Sequence, residues 1–366
     1  MIRSLQIIDT LRIGGAERMA INIANGLSSA NVESHICATR SEGQLKASIK
    51  KEVSYLFLNK KSTIDIIALF RLKKYIKKNQ INILHAHGTS FFIAAIVSVF
   101  NRKLKIIWHD HYGNRVNDTN KFKLVILKLC LYNFNIIYCV NHELRNWAIE
   151  NLNCKTVKFI SNFPTINHKK ETILNGNTGK RILCAANLRE PKNHELLFKA
   201  FKKLKGECSD WSLHCIGAIY DDDYSQNLES FINKHKLKNQ IFLYGAKEDV
   251  SNIISQSDIG VLTSKFEGLP MALLEYGLGK LAVLATDVGY CNKLILDDSL
   301  GVLVSSNDKK SVYNGLKLLI NDIKYRKECA ENFHLKILNE FSEEEILRKL
   351  ILDYELLLVP DNIEKE

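Results

Sequence analysis

Two glutamates stand on either side of a proline turn in the stretch KFEGLPMALLEYG, residues 265–277. Pro270 suits the first turn of a helix, where its missing N–H is no loss. The sequence therefore predicts a helix that begins there with free backbone amides, a structure that binds anions. Glu267 then lies in the preceding loop, and Glu275 lies about 7–8 Å along the helix axis. Two hydrogen-bond acceptors would flank a phosphate-sized positive site. The alternative for Glu275 is a surface helix that mixes charge with leucine.

That arrangement fits a ligand with a diphosphate between two hydroxylated ends, because carboxylates accept from sugar hydroxyls while amides and cations hold phosphates. A nucleoside diphosphate sugar has this structure. In LRIGGAER, Gly14 and Gly15 fall between a predicted strand and helix, where bare backbone can approach a phosphate, although paired glycines also simply form turns. NLREPKN puts Arg189 and Lys192 after another strand, at the sheet edge where α/β proteins bind ligands, although loop cations are often only solvated.

Two His-x-His pairs end the predicted strands INILHAH and KIIWH. Alternation along a strand puts His85 and His87 on one face, and likewise His109 and His111. Four histidines could bind a metal ion, but no carboxylates cluster in the sequence beside them, and polar strand-end histidines are the alternative. The acidic run at residues 221–223 is interpreted as a solvated loop. We therefore expect no metal site.

Short β-branched or leucine-rich runs alternate with longer helical patterns along the chain. This rhythm is typical of parallel sheets built from βαβ units. The predicted strands are SLQIID, ESHICA, INILHAH, KIIWH, IIYCV and VKFIS, then RILCAA, SLHCIG, QIFLYG, IGVLTS, LAVLAT and GVLVS. The polar stretch at residues 162–180 lacks periodicity and is interpreted as an interdomain linker. The sequence predicts an α/β fold of two Rossmann-like, doubly wound domains facing a cleft.

The chain length of 366 residues favours two domains, because one core rarely grows past roughly 250–300 residues. We predict an N-terminal domain over 1–170, a C-terminal domain over 171–342, and a final helix over 343–360 that joins the first domain. Nine cysteines without a Cys-x-x-Cys pair fit a reducing compartment. The longest uncharged apolar stretch, residues 91–100, is below the ~18 residues of a membrane span. We expect a cytoplasmic protein.

The net charge of +11 hides an asymmetry between the two halves. Residues 1–170 contain 26 basic and 10 acidic side chains, whereas the remainder contains 25 and 30. No nucleic-acid recognition module or interleaving of basic and aromatic residues is visible, so an anionic membrane or a phosphorylated ligand fits the basic half better. A solvated basic face is the alternative. The helical pattern FRLKKYIKK, residues 70–78, concentrates this charge and favours peripheral binding to the inner face of a membrane.

GGAER, HAHG, NLREPKNHELLFKAF, EGLPMALLEYG and LAVLATDVG occur in an order and spacing that resemble glycosyltransferase family 4, retaining enzymes of the GT-B fold. The resemblance runs from the first strand to the final helix, and its most specific element is the glutamate pair with its GLP turn. It implies transfer of a sugar from a nucleoside diphosphate sugar, with UDP-sugar as the expected donor. The implied acceptor is a hydroxyl of a glycan, such as a lipid-linked glycan in cell-surface polysaccharide biosynthesis. It also implies catalysis without a metal or another cofactor.

Carried over to matching positions, the resemblance implies that Glu275 binds the donor ribose and Glu267 contacts the transferred sugar. Gly15 would approach the donor phosphates, and Lys192 would neutralise them. Residue patterns and resemblance together predict a donor-binding set: Gly14, Gly15, Arg189, Lys192, Gly268, Leu269, Met271, Ala272 and Glu275.

The resemblance implies that His111 touches the sugar near the reaction centre, which makes His111 and Glu267 the predicted catalytic residues. His109 competes for this role because the register of WHDHYG is ambiguous. Many family members have arginine where this chain has Asn187, and Arg189 is the candidate substitute. The alternative functions are a nucleotide-sugar epimerase on the same two-domain plan and a non-catalytic protein that binds nucleotide sugars.

Overall fold

The computed structural model describes residues 1–12, 14–112, 121–165 and 169–359. Part of the predicted linker, residues 166–168, lies outside the described residues, as does Pro360 at the end of the predicted final helix. The chain divides into two compact units. One comprises Met1–Asn162 and the C-terminal segment that begins at Glu343, and the other comprises Phe163–Ser342.

The first unit contains a parallel sheet flanked by helices. Its strands are β1 (Arg3–Thr10), β2 (Glu33–Ser41), β3 (Ser54–Phe57), β4 (Ile83–His87), β5 (Lys105–Asp110), β6 (Ile136–Cys139) and β7 (Val157–Phe159). Its first helices are α1 (Gly15–Ser29), α2 (Ile66–Lys78), α3 (Phe91–Phe100), α4 (Lys121–Leu131) and α5 (His142–Asn151). The strand order is β3-β2-β1-β4-β5-β6-β7, and all neighbours are parallel. Each of the six strands predicted here is present, and β3 was not predicted.

The second unit repeats this architecture. Its strands are β8 (Arg181–Ala185), β9 (Ser212–Ile216), β10 (Ile241–Leu243), β11 (Ile259–Leu262), β12 (Ala282–Thr286) and β13 (Val302–Val304). Its helices are α6 (His194–Leu204), α7 (Asp223–Lys234), α8 (Val250–Ser255), α9 (Met271–Leu278), α10 (Cys291–Leu294), α11 (Lys309–Asn321) and α12 (Ile323–Phe341). The parallel strands follow the order β10-β9-β8-β11-β12-β13.

The C-terminal helix α13 (Glu343–Leu358) belongs to the first unit and packs against α1. Its buried side chains reach polar groups on the sheet. The Tyr354 hydroxyl lies 2.6 Å from Nδ1 of His85 on β4. Asp353 accepts a hydrogen bond of 2.8 Å from the Tyr138 hydroxyl on β6. This face of the sheet is therefore polar as well as buried, and the helix satisfies part of it.

Both faces of each sheet are covered by helices, which confirms the predicted α/β class with two parallel-sheet domains. In the second unit, for example, α6 and α11 pack together while α9 and α12 pack together, around two separate apolar clusters. The acidic run at residues 221–223 begins α7, where Asp222 caps the helix by accepting from the Ser225 amide. Within the described ranges, no helix combines the length and the hydrophobicity that crossing a membrane requires.

Each sheet reverses its direction of growth at one point. In the first unit the chain builds outward from β1 to β3 and then resumes on the other side with β4. In the second unit the corresponding reversal falls between β8 and β11. Parallel α/β sheets bind ligands outside the carboxyl ends of the strands at such switch points. The loops after β1, β4, β8 and β11 are therefore where a site is expected.

Candidate active site

A cavity of about 420 Å³ lies at the switch point of the second unit. Its walls come from the loops after β8, β9, β10 and β11 and from the start of α9. Six predicted site residues line it: Lys192, Glu267, Leu269, Met271, Ala272 and Glu275. The cavity thus combines the cation, the two carboxyl groups and the helix start that the sequence predicts for this region, and Lys247 adds a second cation that the sequence does not indicate.

Lys192 and Glu267 form an ion pair in the cavity wall. The Lys192 Nζ lies 2.6 Å from Oε1 of Glu267, and the Ser264 hydroxyl donates to the same oxygen at 2.6 Å. The Glu267 side chain is 8% exposed and the Lys192 side chain 32% exposed, so the ammonium is the more accessible partner. An ammonium has three N–H donors, and a phosphate at this wall could therefore bind it while the ion pair persists.

Backbone contacts hold the two loops against each other. The Lys265 amide donates to the Pro191 carbonyl at 2.8 Å, and the Thr263 hydroxyl donates to the Asn193 carbonyl at 3.2 Å. Asn193, the residue directly after Lys192, has a left-handed φ of 54°. Non-glycine residues adopt this conformation at a cost, and asparagine tolerates it better than most. The position of Lys192 is therefore fixed by its backbone and does not depend on the ion pair alone.

Helix α9 begins at Met271, with Pro270 as its N-cap residue at φ −77°. The prediction that a helix starts at the proline was off by one residue. The first amides of a helix have no intrahelical partner, so those after Pro270 remain suited to an anion. Glu275 is half-buried and lies in the next turn. The adjacent Tyr276 is fully buried and its hydroxyl accepts from the Ala185 amide at 2.6 Å, which anchors the helix to β8.

The loop that carries Glu267 is in close contact with Gly289, whose role no motif in the sequence indicates. Gly289 has a φ of +54°, and a Cβ built on it would lie 1.8 Å from the Glu267 carbonyl oxygen. No other residue type fits this position without moving the loop. The Tyr290 amide also donates to the Gly268 carbonyl at 3.2 Å. The segment after β12 therefore supports the Glu267 loop from behind.

Other predicted residues are placed differently. The Arg189 guanidinium stacks 4.5 Å above the ring of Tyr220 and donates to its hydroxyl at 2.6 Å, and it does not line the cavity. Asn187 lines the cavity but its side-chain oxygen accepts from the Ala218 amide at 2.8 Å. Gly268 is exposed and outside the cavity lining. Arg189 and Gly268 are therefore the two predicted donor-binding residues of the second unit that do not line the cavity, although Gly268 lies between Glu267 and Leu269, which do.

In the first unit, the predicted glycine pair begins α1. Gly14 is the N-cap residue, with an extended φ of −167°, and Gly15 is the first helical residue. A Cβ on Gly15 would meet nothing within 4 Å. Packing therefore does not explain the glycine there, and the backbone at the end of β1 is open to a ligand. Glu17 lies in the same first turn, where its charge would oppose an anion.

The four histidines form one stack at the ends of β4 and β5. His87 and His109 are register partners on these strands, with ring centroids 5.3 Å apart. His85 stacks on His87 at 4.6 Å, and His111 stacks on His109 at 4.2 Å. Burial lowers the pKa of His111 to about 3, and it lowers the pKa values of the other three well below the usual 6.5. The imidazoles are therefore neutral at neutral pH.

Ring nitrogens of His85, His87 and His109 lie within 4.8 Å of one another, close enough to bind one metal ion. Both nitrogens of His87 already have partners, however: Nε2 lies 2.9 Å from the Gln6 side-chain oxygen and Nδ1 lies 3.0 Å from Nε2 of His111. A three-histidine metal site would require His87 to give up one of these hydrogen bonds. The expectation that no metal binds stays a prediction.

Comparison with known proteins gives the family of this chain. Residues 13–163 match the family model described as Glycosyltransferase Family 4, and residues 166–335 match the model described as Glycosyl transferases group 1. The chain belongs to glycosyltransferase family 4. Its two matched segments follow the two sheets in order, so the resemblance to this family is confirmed and the protein is a sugar-transferring enzyme.

Two curated relatives extend over most of this glycosyltransferase. The O-antigen biosynthesis glycosyltransferase WbnH of Escherichia coli is 26% identical over 88% of this chain and 92% of its own. The UDP-Gal:alpha-D-GlcNAc-diphosphoundecaprenol alpha-1,3-galactosyltransferase of Escherichia coli is 24% identical over 76% of each chain.

Solved structures show the same fold. A glycosyltransferase from Rickettsia africae has a TM-score of 0.80 and 20% identity, covering 98% of this chain and 99% of that one. HepE from Anabaena, in complex with UDP, has a TM-score of 0.77 and 16% identity, covering 97% of this chain and 100% of that one. The glycosyltransferase therefore has the GT-B type of fold.

Proposed function

We propose that this glycosyltransferase transfers a sugar, with retention of anomeric configuration, from a UDP-sugar to a hydroxyl of a lipid-linked glycan in cell-surface polysaccharide biosynthesis. The observation that carries the proposal is the cavity that joins Lys192, Glu267, Glu275 and the start of α9. Its lining combines lysines and a helix start, which attract a diphosphate, with two carboxylates that accept hydrogen bonds. A relative named for UDP-Gal and for a diphosphoundecaprenol-linked acceptor, and a neighbour bound to UDP, support this choice of substrates.

Each group has a separate role toward the donor. Lys192 and the amides after Pro270 bind the diphosphate, because a cation and a helix start both attract anions. Glu275, one turn further along α9, accepts hydrogen bonds from the ribose hydroxyls. Glu267 accepts from hydroxyls of the transferred sugar. The roles of Gly14, Gly15 and His111, which lie in the first unit, remain the predictions made from the sequence.

The mechanism follows from where charge develops. Breaking the anomeric C–O bond leaves a nucleoside diphosphate with growing negative charge and a sugar with oxocarbenium character. Lys192 and the α9 amides stabilise the departing diphosphate, taking the place of a metal ion. Glu267 Oε1 already accepts from Lys192 and Ser264, which favours a sugar-binding role over that of a covalent nucleophile. The acceptor hydroxyl then attacks the face that the diphosphate leaves, and the diphosphate takes its proton.

The first unit has an exposed surface of basic and apolar side chains, here termed the basic-apolar face, and a lipid-linked acceptor explains why it is exposed. It lies on the neighbouring helices α2, α3 and α4, whose sequences contain no acidic residue. Large apolar side chains that are more than half exposed recur on it: Ile66, Ile67, Phe70, Val99, Phe100, Phe122, Val125 and Leu129. Basic side chains continue the outer side of α2: Lys73, Lys74, Lys77 and Lys78. We propose that this face rests on the anionic inner leaflet of the cell membrane, where a lipid-linked acceptor is located.

A panel of nucleoside diphosphate sugars tests the proposed reaction. The purified protein is incubated with each donor and a polyprenyl-diphosphate-linked monosaccharide, and the products are analysed by mass spectrometry. Sugar transfer with release of UDP from one donor is the expected result. Release of an altered nucleotide sugar without transfer would identify an epimerase instead, and binding without turnover of any donor would identify a nucleotide-sugar-binding protein.

A further inference from the structure

We infer that Gln6 and His87 are positioning residues that hold His111 in one tautomer. In this tautomer Nε2 of His111 carries the proton and Nδ1 offers its lone pair to a hydroxyl of the substrate. The inference rests on the proposed function only for the identity of that substrate. The hydrogen bonds themselves belong to the free protein.

The direction of the hydrogen bonds follows from Gln6 on β1. Its amide nitrogen donates to the Ser4 hydroxyl at 2.8 Å, so its oxygen faces Nε2 of His87 at 2.9 Å. An amide oxygen can only accept, and Nε2 of His87 must therefore carry a proton. A neutral imidazole has a single N–H, which leaves Nδ1 of His87 as an acceptor. The contact of 3.0 Å between this atom and Nε2 of His111 requires His111 to donate.

Burial keeps this chain of hydrogen bonds intact. Gln6 and His87 are both 0% exposed, so neither can exchange its partner for bulk water. The Tyr354 hydroxyl can donate its proton to Nδ1 of His85 at 2.6 Å and accept from the Gln6 amide nitrogen at 3.4 Å, which favours this orientation of the Gln6 amide. An amide rotated by 180° would place its nitrogen against His87 and reverse every donor in the chain. The hydrogen bonds can thus run in either of two directions, and the residues around the Gln6 amide favour one of them.

The remaining nitrogen of His111 is where a substrate can act. Nδ1 of His111 is buried and has no hydrogen-bond partner among the residues that the structure describes, so it is an unsatisfied acceptor that a ligand hydroxyl can satisfy. His111 is also the more exposed of the two competing histidines, because His109 is 0% exposed beneath it in the stack. A neutral lone pair at this position accepts from a sugar hydroxyl and does not place a positive charge beside a developing oxocarbenium ion.

Tautomer measurements on the whole protein test the inference. Long-range ¹H–¹⁵N correlation spectra of ¹⁵N-histidine-labelled protein report which ring nitrogen carries the proton. The signals of His111 are identified as those that disappear in His111→Gln. His87→Asn is the conservative variant, because its side-chain oxygen can occupy the position of Nδ1 and still accept from His111. His87→Leu removes the atom that accepts from His111. Gln6→Met removes the amide oxygen that sets the direction of the hydrogen bonds. Either variant is sufficient for the test if the other fails to fold.

We expect wild-type protein and His87→Asn to show His111 protonated at Nε2. His87→Leu and Gln6→Met should show a mixture of tautomers and lose about tenfold in kcat/KM, the loss expected from one misdirected hydrogen bond. A wild-type His111 protonated at Nδ1 would overturn the inference, as would equal activity of His87→Asn and His87→Leu. The spectra need no substrate, so a protein with the expected tautomer that transfers no sugar would refute the proposed function and leave the hydrogen-bond chain standing.

Discussion

The Nζ of Lys192 lies 2.6 Å from Oε1 of Glu267, which joins the loop after β8 to the loop after β11 at the switch point of the second sheet. The Ser264 hydroxyl contacts the same carboxylate oxygen. Because the carboxylate is the more buried partner, loss of the lysine leaves a largely desolvated charge beside the cavity. Both residues are therefore expected to affect the geometry of the site as well as its charge.

Replacing Lys192 with alanine should lower kcat/KM for sugar transfer by about 10²–10³-fold, because the departing diphosphate loses a cation worth roughly 2–4 kcal/mol in the transition state. Steady-state rates of UDP release measure the effect. Lys265→Ala is the matched control, since Lys265 lies near the same loop but pairs with Glu190 on the surface. Near-normal transfer by a folded Lys192→Ala protein would remove Lys192 from the reaction.

Glu275→Gln should weaken donor binding about tenfold and change kcat little, because a neutral amide accepts less strongly from the ribose hydroxyls than a carboxylate does. Titration calorimetry with UDP measures this affinity. Glu195→Gln is the control: Glu195 is an exposed glutamate of α6 that pairs with Lys199 and lies away from the cavity. Equal UDP affinity of the wild type, Glu275→Gln and Glu195→Gln would mean that Glu275 does not bind the donor.

Gly289→Ala should destabilise the second unit by about 1–3 kcal/mol, because a side chain is strained at φ +54° and its Cβ would collide with the Glu267 carbonyl. The displaced loop should also lower the transfer rate. Thermal unfolding and activity are compared with those of Gly206→Ala, where a Cβ meets nothing within 4 Å. If the two variants behave alike, the contact between Gly289 and the Glu267 loop has no energetic weight.

The buried histidines should make the first unit sensitive to acid. The folded pKa values of His85, His87 and His109 lie well below 6.5, so below about pH 6.5 the unfolded chain binds protons that the folded chain does not. Stability that is fully present above this pH is then lost as the pH falls, by about 1.4 kcal/mol per pH unit for each histidine. His109→Met should reduce the slope of the unfolding free energy against pH by about 1.4 kcal/mol per pH unit, because one of these histidines is removed.

Urea unfolding at about pH 7 and about pH 5.5 tests this sensitivity to acid. The measurement uses the fluorescence of a variant in which the other tryptophans are replaced and only Trp108 remains. It reports on the first unit, because Trp108 is buried beside β4. His142→Gln serves as the control, since His142 is an exposed residue of the same unit. An unchanged slope in His109→Met would mean that the folded stack is itself protonated in this range.

The basic-apolar face should bind vesicles that contain anionic lipid. Replacing Lys73, Lys74, Lys77 and Lys78 with glutamine should lower the bound fraction strongly, because each lysine contributes about 1 kcal/mol near an anionic leaflet, and salt should have the same effect. Sedimentation with anionic and neutral vesicles measures binding. The charge-matched control replaces four exposed lysines of the second unit: Lys199, Lys202, Lys234 and Lys238. Equal pelleting of both variants would locate membrane binding elsewhere or refute it.

The alternation of apolar runs and helical patterns predicted twelve of the strands, because buried parallel strands form short continuous runs of branched residues. The edge strand β3 was missed. Its sequence SYLF contains no β-branched residue and is partly exposed, so it lacks the continuous buried run of branched residues that indicates the other strands. The site residues near Pro270 were predictable for a related reason, since the helix start and both glutamates belong to one continuous segment.

The contacts that the sequence could not indicate join residues far apart in the chain. Arg189 stacks on Tyr220, a partner that no local pattern identifies, and the predicted phosphate contact for this arginine is therefore not supported by its position. Gly289 could have been noticed as the glycine that ends LAVLATDVG, but only the fold shows that it touches the Glu267 loop. The hydrogen-bond partner of the His85 Nδ1 is the hydroxyl of Tyr354, near the end of the chain.

The return of α13 to the first unit has a consequence for the order of synthesis. A ribosome completes the whole of the second unit before it makes Asp353 and Tyr354, which the polar face of the first sheet requires. Domains usually mature in the order of their translation, but here the domain made first is the last to be completed. A released chain that ends at Ser342 should therefore contain a protease-resistant second unit and a first unit that is still open to cleavage.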